Sequence, residues 1–447
     1  MSRNWTNEQL AAINSSGQNL LLSAAAGSGK TAVLVERIIS RITDKMCPVD
    51  ADRLLVVTFT NAAANEMRER IIASLEEKIL QNPQDANLSR QLVLVKKAQI
   101  TTIDSFCINV LRNHFVEADL PPDFCVADPT ECKVMLENAL DEVINEMYDD
   151  EIYGTDFLDL MESYSNSKAN DINFRGLLIS LYYFVMSLPY PEKWLKMAAE
   201  KFSNSNDFEN SEYKDVLIKE AHSECERCIS EYNTMINLAA KDGFSELESF
   251  LIEERSYFEN CIHINDYDKL RAVLNGIVFK GRPRASKNMQ LMYIDQIADM
   301  RQKIKTKRMG VLTEKLLNLT STQQAEAINK MYPLVCCLSE LIKRLSDKFE
   351  EAKLRKNMLD FSDCEHRCLN ILTKDGETTQ IAETIRDEFD EIYIDEYQDT
   401  SKLQEAIFSS IKKENNLFMV GDIKQSIYRF RNTDPILFKT KRDKFSK

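Results

Sequence analysis

The stretch Leu20-Leu21-Leu22-Ser23-Ala24-Ala25-Ala26-Gly27-Ser28-Gly29-Lys30-Thr31 places three apolar residues, a glycine-containing turn and a Lys-Thr pair in direct succession. Apolar residues that end at a polar turn read as a buried strand, and the spacing of apolar residues over 33–39 reads as a helix. Gly27 and Gly29 permit a tight turn whose backbone N–H groups, from Ala26 to Gly29, converge on a phosphate. The N-terminus of the following helix adds partial positive charge there. In such a loop Lys30 reaches the β- and γ-phosphates of ATP and the Thr31 hydroxyl holds Mg²⁺. The first glycine of the general pattern is replaced by Ala24.

Four further stretches repeat the alternation of short apolar strand, polar turn and helix. Residues 54–58 run into 61–72, and 99–103 run into 106–111; near the C-terminus 391–394 and 417–420 do the same. This pattern predicts a parallel α/β sheet. Between about residue 126 and residue 356 the apolar spacing is three to four residues, as over 134–147, 213–241 and 325–353, which predicts a helical insertion. The Ser/Asn-rich breaks at 163–173 and 202–211 read as loops. The expected fold is therefore an α/β, RecA-like P-loop NTPase domain with a parallel sheet, formed by residues 1–125 and 357–447 and interrupted by an all-helical domain at 126–356.

Ile392-Tyr393-Ile394-Asp395-Glu396-Tyr397-Gln398-Asp399 sets two carboxylates just past a strand. Asp395 is expected to share Mg²⁺ with Thr31, and Glu396 to orient the water that attacks the γ-phosphate. The run Val420-Gly421-Asp422-Ile423-Lys424-Gln425-Ser426-Ile427-Tyr428-Arg429-Phe430-Arg431 follows the last strand. Aromatic residues alternating with arginine suit a site between a nucleotide and a nucleic acid: Gln425 and Arg431 toward the phosphates, Tyr428 and Phe430 toward bases. Tyr428 and Phe430 also fit as core aromatics on residue type alone.

Composition narrows the class. The chain has 447 residues, with 11 Gly and 10 Pro, and a net charge of −14, so a DNA-binding surface must be a local groove rather than a general basic coat. The polar start and the lack of a long apolar run predict neither a signal peptide nor a membrane span, and the scattered cysteines point to a reducing, cytoplasmic setting. Cys225 and Cys228 form a CxxC inside a helical pattern and read as a helix face, and His114, His222, His263 and His366 share no metal-ligand spacing.

These motifs, in this order, resemble the UvrD/Rep-type superfamily 1 helicases. Trp5-Thr6-Asn7-Glu8-Gln9 resembles the Q motif, in which Gln9 reads the adenine edge. Residues 58–64 resemble motif Ia and 102–106 motif Ib; 395–399 and 421–431 resemble motifs II and III. The words SAAAGSGKT at 23–31, LDFSD at 359–363 and VGDIKQSIYRFR at 420–431 are closest to the AddA family of helicase/nuclease subunits, with RecB-like and UvrD-like proteins as alternatives. The resemblance implies a 3′-to-5′ motor in double-strand break repair that acts on single-stranded DNA and duplex ends, with an AddB-like partner subunit.

It also implies DNA contacts. Thr60, Asn61 and Ser105 sit where helix N-termini hold phosphates, and Phe59 and Phe430 are stacking platforms. The basic loop 280–287 and the basic stretch 301–308 are either solvated faces or a grip on duplex DNA. The family usually has His at position 104 and often Arg at 32; here Asp104 and Ala32 stand there, so direct phosphate contact by Asp104 is not expected. Domain 2A, its arginine fingers and a nuclease are expected to lie outside these residues. The chain alone is then expected to bind ATP–Mg²⁺ and DNA, to hydrolyse ATP poorly and not to unwind, or else to be a non-catalytic binding truncation. A small-molecule kinase would have no use for the Q motif or motif III.

Overall fold

The structure, a computed structural model, describes residues 5–25, 27–164, 172–203, 205–284, 291–425 and 435–445. Its strands are β1 (Leu20–Ser23), β2 (Leu54–Thr58), β3 (Gln99–Thr102), β4 (Cys125–Val126), β5 (Met358–Leu359), β6 (Thr373–Lys374), β7 (Glu377–Thr378), β8 (Glu391–Ile394) and β9 (Leu417–Gly421). Five of them form one parallel sheet in the order β1-β9-β8-β2-β3. The two ends of the chain thus build a single sheet: Leu54 stands opposite Glu391 and Val57 opposite Ile394. Because every strand runs the same way, all the turns leaving their C-terminal ends lie along one edge, where open α/β sheets bind ligands.

The three central strands β2, β8 and β9 are buried along their whole length because both faces are covered. Leu55 and Val57 of β2, Ile392 and Ile394 of β8, and Leu417 and Met419 of β9 enter one core. Their alternates Leu54, Val56, Tyr393, Phe418 and Val420 enter the other. Each such side chain, fully buried, contributes about 1.5–3 kcal/mol.

The helices begin with α1 (Asn7–Asn14), α2 (Lys30–Ile42), α3 (Asn61–Gln81), α4 (Ala86–Val95) and α5 (Ile103–Asn113). Next come α6 (Pro129–Tyr148), α7 (Gly154–Tyr164), α8 (Ile172–Met186) and α9 (Pro191–Ser203). The purely helical stretch continues with α10 (Glu212–Lys241), α11 (Ser245–Cys261), α12 (Tyr267–Asn275), α13 (Ile294–Lys303) and the 34-residue α14 (Ser321–Leu354). The chain then returns to the sheet through α15 (Phe361–Leu372), α16 (Gln380–Glu388), α17 (Lys402–Ile411) and α18 (Pro435–Phe445). Among the described residues no single helix is long and apolar enough to cross a membrane.

The helical excursion leaves and re-enters beside the short parallel pair β4–β5, where Cys125 faces Met358 and Val126 faces Leu359. Compactness divides the chain elsewhere: Met1–Leu195 with Ser339–Lys447 form one unit, and Lys196–Leu338 the other. Helices α6 to α8 and the end of α14 therefore pack with the sheet unit. The second unit has its own core, in which α10 and α11 bury Cys225, Cys228, Tyr232, Leu251 and Phe258. Gly243, with φ +66°, makes the turn between these helices. The CxxC is a buried helix face, as its residues predict.

Inside this unit the two arginines of the basic stretch 301–308 are paired, while Lys303 and Lys307 are exposed. Arg301 makes a two-point contact with Glu254, at 2.7 and 2.6 Å, and Glu254 is 1% exposed. Arg308 bonds Glu224 at 2.8 Å and Glu231 at 2.7 Å. Both guanidinium groups answer buried or half-buried carboxylates on α10 and α11, which spacing along the chain alone does not reveal. Lys280 of the basic loop likewise pairs with Glu253 at 2.6 Å, whereas Arg282 and Arg284 are exposed. Residues 285–287 of that loop lie outside the described residues.

Candidate active site

The site forms where β1, β9 and β8 end side by side. Gly27 (φ +75°) and Gly29 (φ +81°) adopt the left-handed backbone that side chains disfavour, which lets the chain reverse directly into α2. Lys30 is the first residue of that helix, so its backbone N–H is one of the first-turn donors that lie outside the helix's own hydrogen-bond ladder. The Lys30 side chain is only 8% exposed, and its Nζ lies 3.8 Å from Glu396 Oε2. This contact joins the phosphate loop to the acidic pair across the whole helical excursion. Ala26 lies outside the described residues.

Asp395 continues from β8, its N–H bonded to Val57 carbonyl oxygen at 2.9 Å. Burial first, and the neighbouring Glu396 second, push its carboxyl up to about 6, while Lys30 acts in the opposite sense. A carboxylate placed this way is suited to a cation that restores its charged form. Among the described residues no group of three or more His, Cys, Asp or Glu is arranged to hold a metal. Mg²⁺ at phosphates is usually held by one or two protein oxygens with the rest from phosphate and water. Thr31 is the second residue of α2 and Asp395 follows directly on β8, on the two turns that the Lys30–Glu396 contact joins.

Glu396 has φ +51°, an uncommon conformation for a residue with a side chain. Gln398 over-determines it. Gln398 is 1% exposed, and its Nε2 donates to Glu396 Oε2 at 2.7 Å. Its Oε1 accepts from the Asp422 N–H at 2.8 Å. One buried amide thus locks the acidic turn to the end of β9. Gly421 is required beside it: a Cβ there would collide with Gln398 Oε1 and stand 2.8 Å from Phe438 Cε2. Neither role is legible in the sequence, where the only signal is an uncharged polar residue set between carboxylates.

Gln9 reaches the same loop. Its Nε2 donates to the Ser28 carbonyl at 3.0 Å, and its Oε1 accepts from the Thr6 N–H at 2.9 Å. These bonds use one N–H and one lone pair of the amide and fix its orientation, leaving its second N–H and second lone pair for an adenine edge. Gln425 ends a short 3-10 turn, Ile423–Gln425, but its side chain lies outside the described residues, as do Tyr428, Phe430 and Arg431.

On the neighbouring strands, Thr60 caps α3, accepting from the Ala63 N–H at 3.1 Å, and Asn61 is exposed at the first turn. Thr102 caps α5 and accepts from the Ser105 N–H at 3.3 Å, and its hydroxyl also bonds the Ser105 hydroxyl at 3.0 Å. Ser105 is thus half-buried and already bonded, while Thr60 and Asn61 are open. A cavity of about 410 Å³ is lined by Phe59, Thr102, Asp104, Phe361, Asp395 and Glu396, among others. It brings the expected stacking residue Phe59 and the acidic pair to one space.

A family model for the UvrD/REP helicase N-terminal domain matches residues 5–183 and 191–446. The chain is similar to AddA, the ATP-dependent helicase/nuclease subunit of Ruminiclostridium cellulolyticum, 40% identical over 99% of this chain and 36% of the relative. It is likewise similar to the proteins of that name from Clostridium acetobutylicum, 41% identical over 97% of this chain and 36% of the relative, and from Thermoanaerobacter sp., 41% identical over 100% and 37%. The chain spans little more than a third of the length of these curated relatives.

Proposed function

The chain belongs to the UvrD/REP helicase family, whose N-terminal domain it matches, and from that membership we propose that it is the ATP-binding part of a 3′-to-5′ DNA translocase subunit of the AddA kind. The 3.8 Å approach of Lys30 to Glu396 supports this reading most directly, because phosphoryl transfer needs a phosphate cradle and a water-orienting carboxylate in one place. Lys30 binds the β- and γ-phosphates and in doing so leaves Glu396. Glu396, held by Gln398, then orients water at its free oxygen and accepts its proton. Thr31 and Asp395 hold Mg²⁺, which supplies positive charge to the phosphate oxygens when bound. Gln9 selects the base, while Gln425 and Arg431 sense the γ-phosphate.

DNA is gripped along the same edge of the sheet by phosphate contacts at Thr60, Asn61 and Ser105 and by stacking on Phe59; the motif adds Tyr428 and Phe430 as further stacking residues. We take residues 1–125 and 357–447 as the motor domain and 126–356 as its insertion. The relatives are named as subunits, and an AddB-like partner, DNA ends as substrate and a cytoplasmic setting complete the proposal.

Titration of the chain with a fluorescent ATP analogue and Mg²⁺ tests it. Lys30→Ala should weaken binding at least about tenfold, a loss of ~1.4 kcal/mol. Glu396→Gln, which frees Lys30 from its ion pair, should bind at least as tightly as the parent. Equal affinity of Lys30→Ala and the parent would overturn the reading.

A further inference from the structure

We propose that Lys441 of α18 is a positioning residue for the carboxylate pair Asp395–Glu396: through Glu405 and Tyr397 it fixes the turn that carries Glu396, and so sets the affinity for Mg²⁺–nucleotide. The inference rests on the nucleotide reading above.

The acidic pair opens a turn too short to hold its own shape. Tyr397–Asp399 is a single 3-10 turn with Glu396 at its cap. Two backbone bonds close it, from the Asp399 N–H to the Glu396 carbonyl at 2.9 Å and from the Thr400 N–H to the Tyr397 carbonyl at 3.1 Å. Glu396 stands at φ +51°, a conformation that lasts only where neighbouring groups over-determine it. Gln398 ties the turn to the end of β9. Tyr397, the residue between Glu396 and Gln398, ties it to α17. The Tyr397 side chain is buried, and its hydroxyl donates to Glu405 Oε2 at 2.7 Å.

Helix α18 completes this second tie. Phe438 and Lys441 stand three residues apart, hence on one face of the helix. The fully buried Phe438 sets its ring 6.2 Å from the Tyr397 ring, centre to centre. Lys441 Nζ lies 4.8 Å from the centre of the same Tyr397 ring, 2.6 Å from Glu405 Oε1 and 3.5 Å from Met419 Sδ on β9. The Glu405 side chain is only 16% exposed. It accepts hydrogen bonds from Tyr397 and, at 3.3 Å, from the Ser409 hydroxyl, and neither donor brings charge. Lys441 supplies the cation that a half-buried carboxylate requires, and its ammonium is attracted to the Tyr397 ring face as well. Without that charge Glu405 turns toward water and releases the Tyr397 hydroxyl. The turn that carries Glu396 then keeps Gln398 and loses its tie to α17. Lys441 itself reaches the nucleotide site only through Tyr397.

Lys441→Met keeps the length of the side chain and removes its charge. With the full chain and a fluorescent ATP analogue, the gain in affinity on adding Mg²⁺ should shrink roughly three- to tenfold in this variant, while affinity in EDTA stays at the parent's value. Lys441→Arg should restore the gain. So should Glu405→Gln added to Lys441→Met, because it removes the uncompensated charge and keeps an acceptor for Tyr397. Tyr397→Phe loses only the bond to Glu405 and should show the same Mg²⁺-selective loss, roughly two- to threefold; it carries the test if Lys441→Met fails to fold. An unchanged Mg²⁺ gain in either folded variant, or an equal loss with and without Mg²⁺, overturns this inference alone. A parent chain whose affinity does not respond to Mg²⁺ sinks the nucleotide reading and this inference together.

Discussion

Gln398 and Gly421 show how closely the site depends on single side chains. The Gln398 amide bonds Glu396 and the Asp422 backbone at once, so its removal deprives the buried Asp422 N–H of that acceptor, at a cost of about 1–3 kcal/mol. Gly421→Ala inserts a methyl group 2.8 Å from a Phe438 ring carbon and into contact with Gln398. Overpacking of this kind costs about 1–3 kcal/mol. Urea unfolding should show a lower midpoint for Gly421→Ala, and nucleotide titration a weaker affinity, because Gln398 is displaced from Glu396. A variant as stable as the parent would mean that the strand end yields more easily than the packing implies.

At the scale of elements, the join between α14 and α15 carries a charge cluster that local pattern does not announce. Lys353 is 0% exposed. It meets Asp360 at 2.7 Å and Asp363 at 2.6 Å, and the Phe349 ring at 3.9 Å. Asp360 also caps α15, in a reciprocal bond with Asp363. The word LDFSD, legible in sequence only as a family resemblance, is thus in part the anchor by which the chain returns to the sheet. Lys353→Ala leaves two carboxylates with no cation in a buried place and should cost about 3–5 kcal/mol, read by chemical unfolding. The pH sign follows from Lys353, whose folded value is raised by the two aspartates against burial, from the ordinary 10.5. Its stabilisation is complete below 10.5 and is lost as pH climbs through the higher folded value. The parent should therefore show an alkaline fall in midpoint that Lys353→Met lacks.

On the scale of the whole chain, the core cluster of the helical unit draws on residues within 208–328, and the two sheet-flanking clusters draw on residues outside that span. Units with independent cores melt independently unless strongly coupled. Calorimetry should resolve two transitions. A nucleotide that binds at the sheet edge should raise only one of them, by about 2.7 kcal/mol at a hundredfold excess over Kd. A single transition that shifts as a whole would show the units to be one cooperative body.

The sheet strands, most helices and the residues of the phosphate and acidic turns are all legible in the sequence, because each is written in neighbouring residues: apolar runs of strand length, helical periodicity, glycines where φ must be positive. The pairing of β2 with β8 follows only from motif order and needs the fold to be seen. What neighbouring residues could not specify is the fate of buried charge. Arg301 and Arg308 read as a basic face and are neutralised by Glu254, Glu224 and Glu231; Asp104 reads as a departure from pattern and lines a cavity together with Glu365. The cost of a charge is set by the solvent and the partners that remain to it after folding. Those partners come from distant segments, so only the tertiary structure decides it.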